Sequence, residues 1–218
     1  MANWNYGDAF KRHPVENGII VFENGSKLKT HDIFNPLPDF MKEASIIFVD
    51  PPWNQGNLSS FYTKADMMNL NKYKDFYARL FDCIREVNAE KCYIEIGKDF
   101  LAEFITELKK IYPKVTFFNS TYYHKKEHLC YVIYGGKKRC RFKLDGMDEE
   151  DIIKYICENE EYSCIGDLCM GRGLVATYAT KAGKKFVGTE LNHKRLAVCV
   201  ENISNLISYK KEGGERSE

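Results

Sequence analysis

The chain reads as an α/β protein, a mostly parallel sheet flanked by helices and ending in one antiparallel hairpin. Short apolar, β-rich runs alternate with longer segments of helical spacing, the pattern of strands joined by crossover helices. One pair of runs breaks the alternation, because the residues between them are too few for a crossover. At 218 residues the chain is long enough to bury a sizeable core as one domain.

In chain order, strands are expected at 19–22, 45–50, 91–96, 115–122, 129–134, 164–168 and 185–190, and helices at 74–87, 99–111, 148–158, 174–182 and 193–207. The last helix carries Leu196, Val200, Ile203 and Ile207 at three- and four-residue spacing, which gives it one buried face. Runs 115–122 and 129–134 are separated only by the polar stretch from Tyr123 to His128, so they should pair as antiparallel neighbours. Segments 54–71, rich in Asn, Ser and Gly, and 135–147 fit no regular element. Both follow strand ends, where open α/β sheets bind ligands, and both read as binding loops or lids. Residues 1–209 then form a single domain, and the charged segment 210–218 is expected to fray.

Composition narrows the class. Hydrophobic residues make up 44% and charged residues 29%, which excludes a disordered or fibrous chain. The longest apolar runs, 44–49 and 129–134, fall far short of the roughly 18–20 residues of a membrane-spanning helix. Residues 1–10 lack a basic start followed by an apolar stretch, so a cytoplasmic location is expected and no membrane partner. The eight cysteines never form Cys-x-x-Cys and have no His at zinc-finger spacing, so they read as reduced thiols, with no metal site expected. The net charge of +1 hides an uneven distribution. Lys137, Lys138, Arg139, Arg141 and Lys143 crowd one short segment, which suits a phosphate backbone and equally suits a solvated loop.

Two motifs carry chemistry. Asp50-Pro51-Pro52-Trp53 follows the apolar run at 46–49. Two prolines cannot continue a strand ladder, so the chain turns, and the first restricts Asp50 to an extended conformation. The Asp50 carboxylate and the Pro51 carbonyl can accept the two hydrogens of an exocyclic amine, and Trp53 offers a face on which a base can stack. The second motif, Asp167-Leu168-Cys169-Met170-Gly171-Arg172-Gly173, lies between a strand-like and a helix-like segment. Gly171 and Gly173 permit a sharp turn and close approach to a ligand, with a helix N-terminus beyond. Glu190 closes the next strand, where α/β nucleotide sites place the acid that holds ribose hydroxyls.

In that order, these residues resemble the amino-methyltransferases of DNA in their permuted arrangement, in which the catalytic motif precedes the cofactor motif. The family's (Asp/Asn/Ser)-Pro-Pro-(Tyr/Phe/Trp) is matched by residues 50–53, and an Asp in first place leans toward adenine N6 over cytosine N4. Its Asp-x-Phe-x-Gly-x-Gly loop is matched by 167–173, with Cys169 where Phe is usual. Glu190 matches the ribose-binding acid, Leu191 and Asn192 continue the likeness, and Asp32 stands where the adenine ring of the cofactor is contacted. The resemblance implies a Rossmann-like class I methyltransferase fold, a seven-stranded sheet in the order 3-2-1-4-5-7-6 with one antiparallel strand and flanking helices. It implies S-adenosyl-L-methionine as cofactor, held by Asp32, Asp50, Asp167, Cys169, Met170, Gly171, Gly173, Glu190, Leu191 and Asn192. The catalytic residues would be Asp50, Pro51, Pro52 and Trp53, and the activity N6-adenine methylation of DNA.

Many relatives insert a recognition domain between the two motifs, whereas this chain has room only for loops. Nucleic-acid contacts would then fall to Asn54 and Lys64, to Lys125 in the hairpin, to the basic run Lys137, Lys138, Arg139, Arg141 and Lys143, or to a homodimer or second subunit. Asp-Pro-Pro-Trp also occurs in messenger-RNA adenine methyltransferases, so RNA stays open as substrate, although the regular Gly-x-Gly loop tilts toward DNA. A silent nucleic-acid-binding subunit that keeps the fold is a further reading. A nicotinamide-dependent oxidoreductase is more distant, because the third glycine of that fingerprint is missing.

Overall fold

The computed structural model describes residues 6–16 and 18–212. The elements are α1 (Ala9–Arg12), β1 (Ile19–Phe22), β2 (Lys27–Thr30), β3 (Ile46–Val49), α2 (Gln55–Lys64), α3 (Tyr73–Val87), β4 (Lys91–Ile96), α4 (Leu101–Ile111), β5 (Lys114–Tyr122), β6 (Lys125–Gly136), α5 (Glu149–Asn159), β7 (Cys164–Asp167), α6 (Leu174–Lys181), β8 (Lys185–Glu190), α7 (His193–Ser204) and β9 (Tyr209–Glu212). They build one sheet in the order β5-β6-β4-β3-β7-β8-β2-β1-β9. The five central strands from β4 to β2 are parallel, and antiparallel pairs close both edges.

Burial on both faces explains why β3 is apolar throughout. Ile46 and Phe48 join the cluster under α5, α6 and α7, while Ile47 and Val49 join the opposite cluster under α3 and α4. The buried positions of α3, among them Phe76, Leu80, Ile84 and Val87, recur every three or four residues, and the helix ends at Asn88 with φ of 55°. The chain passes from β3 outward through α3 to β4 on one face, and from β7 through α6 to β8 on the other. The crevice beyond the C-terminal ends of β3 and β7 is therefore the point at which strand order reverses.

Seven strands, β2-β8-β7-β3-β4-β6-β5, follow the expected 3-2-1-4-5-7-6 order, and the hairpin β5-β6 falls where the sequence reading puts it. The sheet nevertheless has nine strands. β2 escapes sequence reading because Lys27-Leu28-Lys29-Thr30 buries only Leu28. β9 is a correction to the expected tail: Lys210, Lys211 and Glu212 pair with β1 by backbone hydrogen bonds, which need no apolar side chains. Residues 213–218 of that tail lie outside the described residues. A second correction concerns 54–71, which is helical over Gln55–Lys64. Asn54 caps this helix by accepting the Asn57 N–H at 3.0 Å, and Leu58 and Tyr62, one turn apart, are its buried face. Its polar composition hides the signal. No helix among the described residues is long and apolar enough to cross a membrane.

Candidate active site

β3 delivers Asp50 to the crevice and the two prolines end the strand there. The Trp53 indole N–H donates to Asp50 Oδ1 at 3.0 Å, and the Tyr73 hydroxyl donates to the Pro52 carbonyl at 3.0 Å. The Asp50 side chain is exposed to solvent within a cavity, with protein packed densely around its walls. Burial first, and then the negative charge of Glu149, push its pKa up to about 7.

β7 delivers the glycine turn beside it. Asp167 is 5% exposed and accepts the Cys169 N–H at 2.9 Å, and burial holds its carboxyl well above the usual range. Gly171, at φ of 56°, leaves the loop open, with nothing closer than 4.0 Å to where a Cβ would stand, and donates its N–H to Glu190 Oε2 at 2.7 Å. Glu190 Oε1 accepts the Asn192 N–H at 2.9 Å. Both oxygens of the acid at the end of β8 are thus fixed in place.

Gly173 plays a different part from Gly171. It has φ of 79°, and a Cβ there would stand inside the Cys199 sulfur of α7. It is the packing contact between the turn and α7, and it does not line the cavity. Gly173→Ala should cost about 2 to 4 kcal/mol, from left-handed backbone strain plus overpacking. Urea denaturation followed by circular dichroism checks this.

Both motifs open into one cavity of about 390 Å³, within the range of small-molecule sites. Six acids line it, Asp32, Asp50, Glu95, Glu149, Asp167 and Glu190, against Arg172, Arg195 and His31. That excess suits a ligand carrying positive charge. Among the cofactor residues read from sequence, Asp32, Asp50, Asp167, Cys169, Met170, Gly171, Glu190 and Leu191 line the cavity. Asn192 does not: its side chain caps α7, accepting the Lys194 N–H at 2.9 Å, and donates to the Lys64 carbonyl at 2.7 Å.

Pro52 lines the cavity, whereas Pro51 and Trp53 are absent from its wall. The Trp53 ring packs against Gly97 and stands edge-on to Tyr122, with centroids 5.3 Å apart. This corrects the reading of Trp53 as an open stacking face. Its N–H orients Asp50, and its ring supports the wall from behind.

Several wall residues escape sequence reading. His31 has an Nε2 buried without a partner, and burial lowers its pKa, so it presents a neutral imidazole. The Tyr62 hydroxyl reaches both Asp32 oxygens at 2.9 Å and aims that carboxylate. Glu95 is an acid inside the apolar run Ile94-Glu95-Ile96, a signal that the sequence does carry. Tyr123 comes from the β5-β6 turn, where Tyr123 and His124 have φ of 58° and 52°. Turns of this shape normally use Asn and Gly. Asp148 holds this one, accepting the His124 N–H at 2.8 Å and the Thr121 hydroxyl at 3.1 Å while capping α5.

The residues expected to touch nucleic acid divide by position. Asn54 caps α2, Lys64 ends it with its ammonium 5.5 Å from the Phe61 ring centroid, and Phe61 lines the cavity. Lys125 is exposed at the hairpin tip on the same end of the sheet. The basic run is misplaced by the sequence reading. β6 is antiparallel to β4, with Gly136 opposite Lys91, so residues 137–143 emerge at the N-terminal end of the parallel strands, away from the cavity. Arg141 is moreover committed to the Asn159 carbonyl at 2.7 Å and lies 3.5 Å from both Glu160 and Glu161.

Several solved structures share this architecture. One, a candidate DNA modification methylase from Thermus thermophilus, superposes with a TM-score of 0.58 at 13% identity, covering 82% of this chain and 94% of that one. The chain has the methyltransferase fold. M1.HpyAVI matches this fold with a TM-score of 0.51 at 14% identity over 81% of this chain and 98% of its own. The PvuII cytosine-N4-specific DNA methyltransferase matches with a TM-score of 0.51 at 9% identity over 79% and 86%. The Thermus protein and M1.HpyAVI have each also been solved with S-adenosyl-L-methionine. No protein-family model matches the sequence, and no curated protein sequence matches it.

Proposed function

We propose that this chain is an S-adenosyl-L-methionine-dependent methyltransferase that methylates the N6 amino group of adenine in DNA. The carrying observation is that the Asp50 turn and the acid-flanked glycine turn line a single cavity. Had they opened on opposite faces, an amine at one could not meet a methyl donor at the other. Structural likeness to DNA methyltransferases supports the reaction class, and the Asp in first place of the tetrapeptide supports adenine.

The wall fits the cofactor. Glu190 would take ribose hydroxyls, Asp32 and the unpartnered His31 nitrogen would meet the adenine edge, and Asp167 would face the methionine end. The open space at Gly171 lets the ligand approach the backbone. Bound there, the cofactor supplies an activated methyl group, so no protein nucleophile is required. Burial raises the Cys169 thiol well above its ordinary pKa, which keeps it inert. Asp50 accepts an amine hydrogen and aims the nitrogen lone pair at the methyl, and Tyr123 at the mouth offers a ring to the base. A duplex substrate must flip its base to reach this depth, at a cost of a few kcal/mol.

The deciding assay supplies tritiated cofactor with duplex DNA, single-stranded DNA or RNA and identifies the methylated nucleoside. N6-methyldeoxyadenosine is expected. N4-methyldeoxycytidine would overturn the base assignment, label in RNA alone the polymer assignment, and no label at all the activity. Because the basic run lies at the far end of the sheet, Lys137→Ala with Lys138→Ala should change DNA affinity by less than about threefold, measured by fluorescence anisotropy at two salt concentrations.

A further inference from the structure

Glu95 is 2% exposed, on the face of β4 that packs under α5, and its Oε1 has no hydrogen-bond partner. One of its carboxyl oxygens lies within 4.8 Å of a carboxyl oxygen of Glu149, the first residue of α5. Ionised carboxylates offer only acceptors, so two that face each other this closely can join only through a proton on one of them. Isolated ionised carboxylates at such depth are costly, and burial together with the charge of Asp50 favours the neutral form of Glu95. Asp50, Glu95 and Glu149 all line the cavity.

The surroundings leave this cluster acidic. Asp50 faces Glu149 from α5, Glu95 from β4 and Asp167 from β7, with Arg195 of α7 and the Trp53 N–H opposing them. Glu149 has Asp148 and Glu150 beside it, and the Tyr123 backbone amide lies toward its carboxyl. Cys130 of β6 faces Glu95, and burial raises its thiol to about 12.

We propose that Glu95 and Glu149 form a carboxyl dyad sharing one proton, and that this dyad relieves Asp50 of the proton released when the amine is methylated. The inference rests on the methyl-transfer reading above. In the transfer, the sulfur–methyl bond breaks with its electron pair returning to sulfur, and the amine lone pair forms the new nitrogen–methyl bond. The nitrogen then sheds one proton to the Asp50 carboxylate. Left there, the proton would block Asp50 from accepting the next amine. Glu95 keeps its own proton, donated to Glu149, and the remaining basic oxygen of Glu149 takes the proton from Asp50 and passes it to water through its partly exposed side. Glu95 and Glu149 are on this account positioning and relay residues, and of the three acids only Asp50 touches the substrate.

The test joins infrared spectroscopy of the carboxyls with single-turnover methyl transfer between pH 5.5 and 9, on wild type, Glu95→Gln, Glu149→Gln and Glu149→Asp. The wild-type-minus-Glu95→Gln spectrum at pH 7.5 should contain a protonated-carboxyl band sensitive to deuterium. Glu149→Gln should move the acid limb of the rate profile down by about one pH unit, because a like charge beside Asp50 is gone. It should also slow transfer at pH 8 about tenfold, with cofactor affinity held within about threefold by calorimetry. Glu149→Asp should restore the wild-type limb. Profiles that differ only by a constant factor, or absence of the band, would overturn the proposal. So would stoichiometric binding of zinc or magnesium by the wild type that both glutamine variants lose, since the cluster would then hold a cation. A wild type that shows the band but labels no polynucleotide supports the shared proton and refutes the methyl-transfer reading instead.

Discussion

Asp50→Ala should abolish methyl transfer while leaving S-adenosyl-L-methionine bound. Its carboxylate is the acceptor placed to hold the amine, and loss of a positioned acid–base group costs about 10²- to 10⁴-fold. Misalignment of the amine adds to that loss, because transfer requires the nitrogen and the methyl about 3 to 3.5 Å apart. On the proposed reading, cofactor contacts would come chiefly from the turn at 167–171 and from Glu190, whose own hydrogen bonds the substitution does not touch. Calorimetry should show affinity within about threefold of wild type, while single-turnover labelling falls to background. The pH dependence follows from the same group. Asp50 must be ionised to accept the amine hydrogen, and burial holds its pKa near about 7. Transfer should therefore fall as pH drops through neutrality, and retained turnover in Asp50→Ala would end the assignment.

Glu190→Ala should have the opposite signature, removing cofactor binding itself. Hydrogen bonds to a charged group contribute about 1.5 to 3 kcal/mol each, so losing the ribose acceptor should weaken binding about 10- to 100-fold. The same carboxylate also ties down the Gly171 and Asn192 backbone at 2.7 and 2.9 Å. Losing those ties frees the glycine turn, which adds to the expected loss. Glu190→Gln keeps one acceptor and should fall between alanine and wild type in calorimetric titration. An unchanged affinity in Glu190→Ala would mean that the cofactor lies elsewhere.

Both motifs are visible in the sequence for one reason: each is a local chain feature. A proline pair ends a strand wherever it stands, and glycines between a strand and a helix make a turn regardless of the rest of the fold. A strand buried on both faces, such as β3, announces itself by an unbroken apolar run. The elements missed bury little. α2 has Leu58 and Tyr62 inside and polar residues elsewhere, and β9 contributes to the core only through Tyr209, which packs on Phe22. Glu95 stands in plain view between two isoleucines, but its partner Glu149 is 54 positions away and carries no mark of its own.

What the sequence by itself determined is the alternation of the principal strands and helices, the Asp50 turn, the glycine loop and the closing acid of β8, because these depend on neighbours in the chain. Tertiary structure alone decided which groups meet. It joined the two motifs in one cavity, turned the Trp53 N–H toward Asp50 and its ring against Gly97 and Tyr122, and set Glu95 against Glu149. It also sent the basic run to the far end, because an antiparallel strand delivers its following loop opposite to its parallel neighbours, a direction no local pattern records.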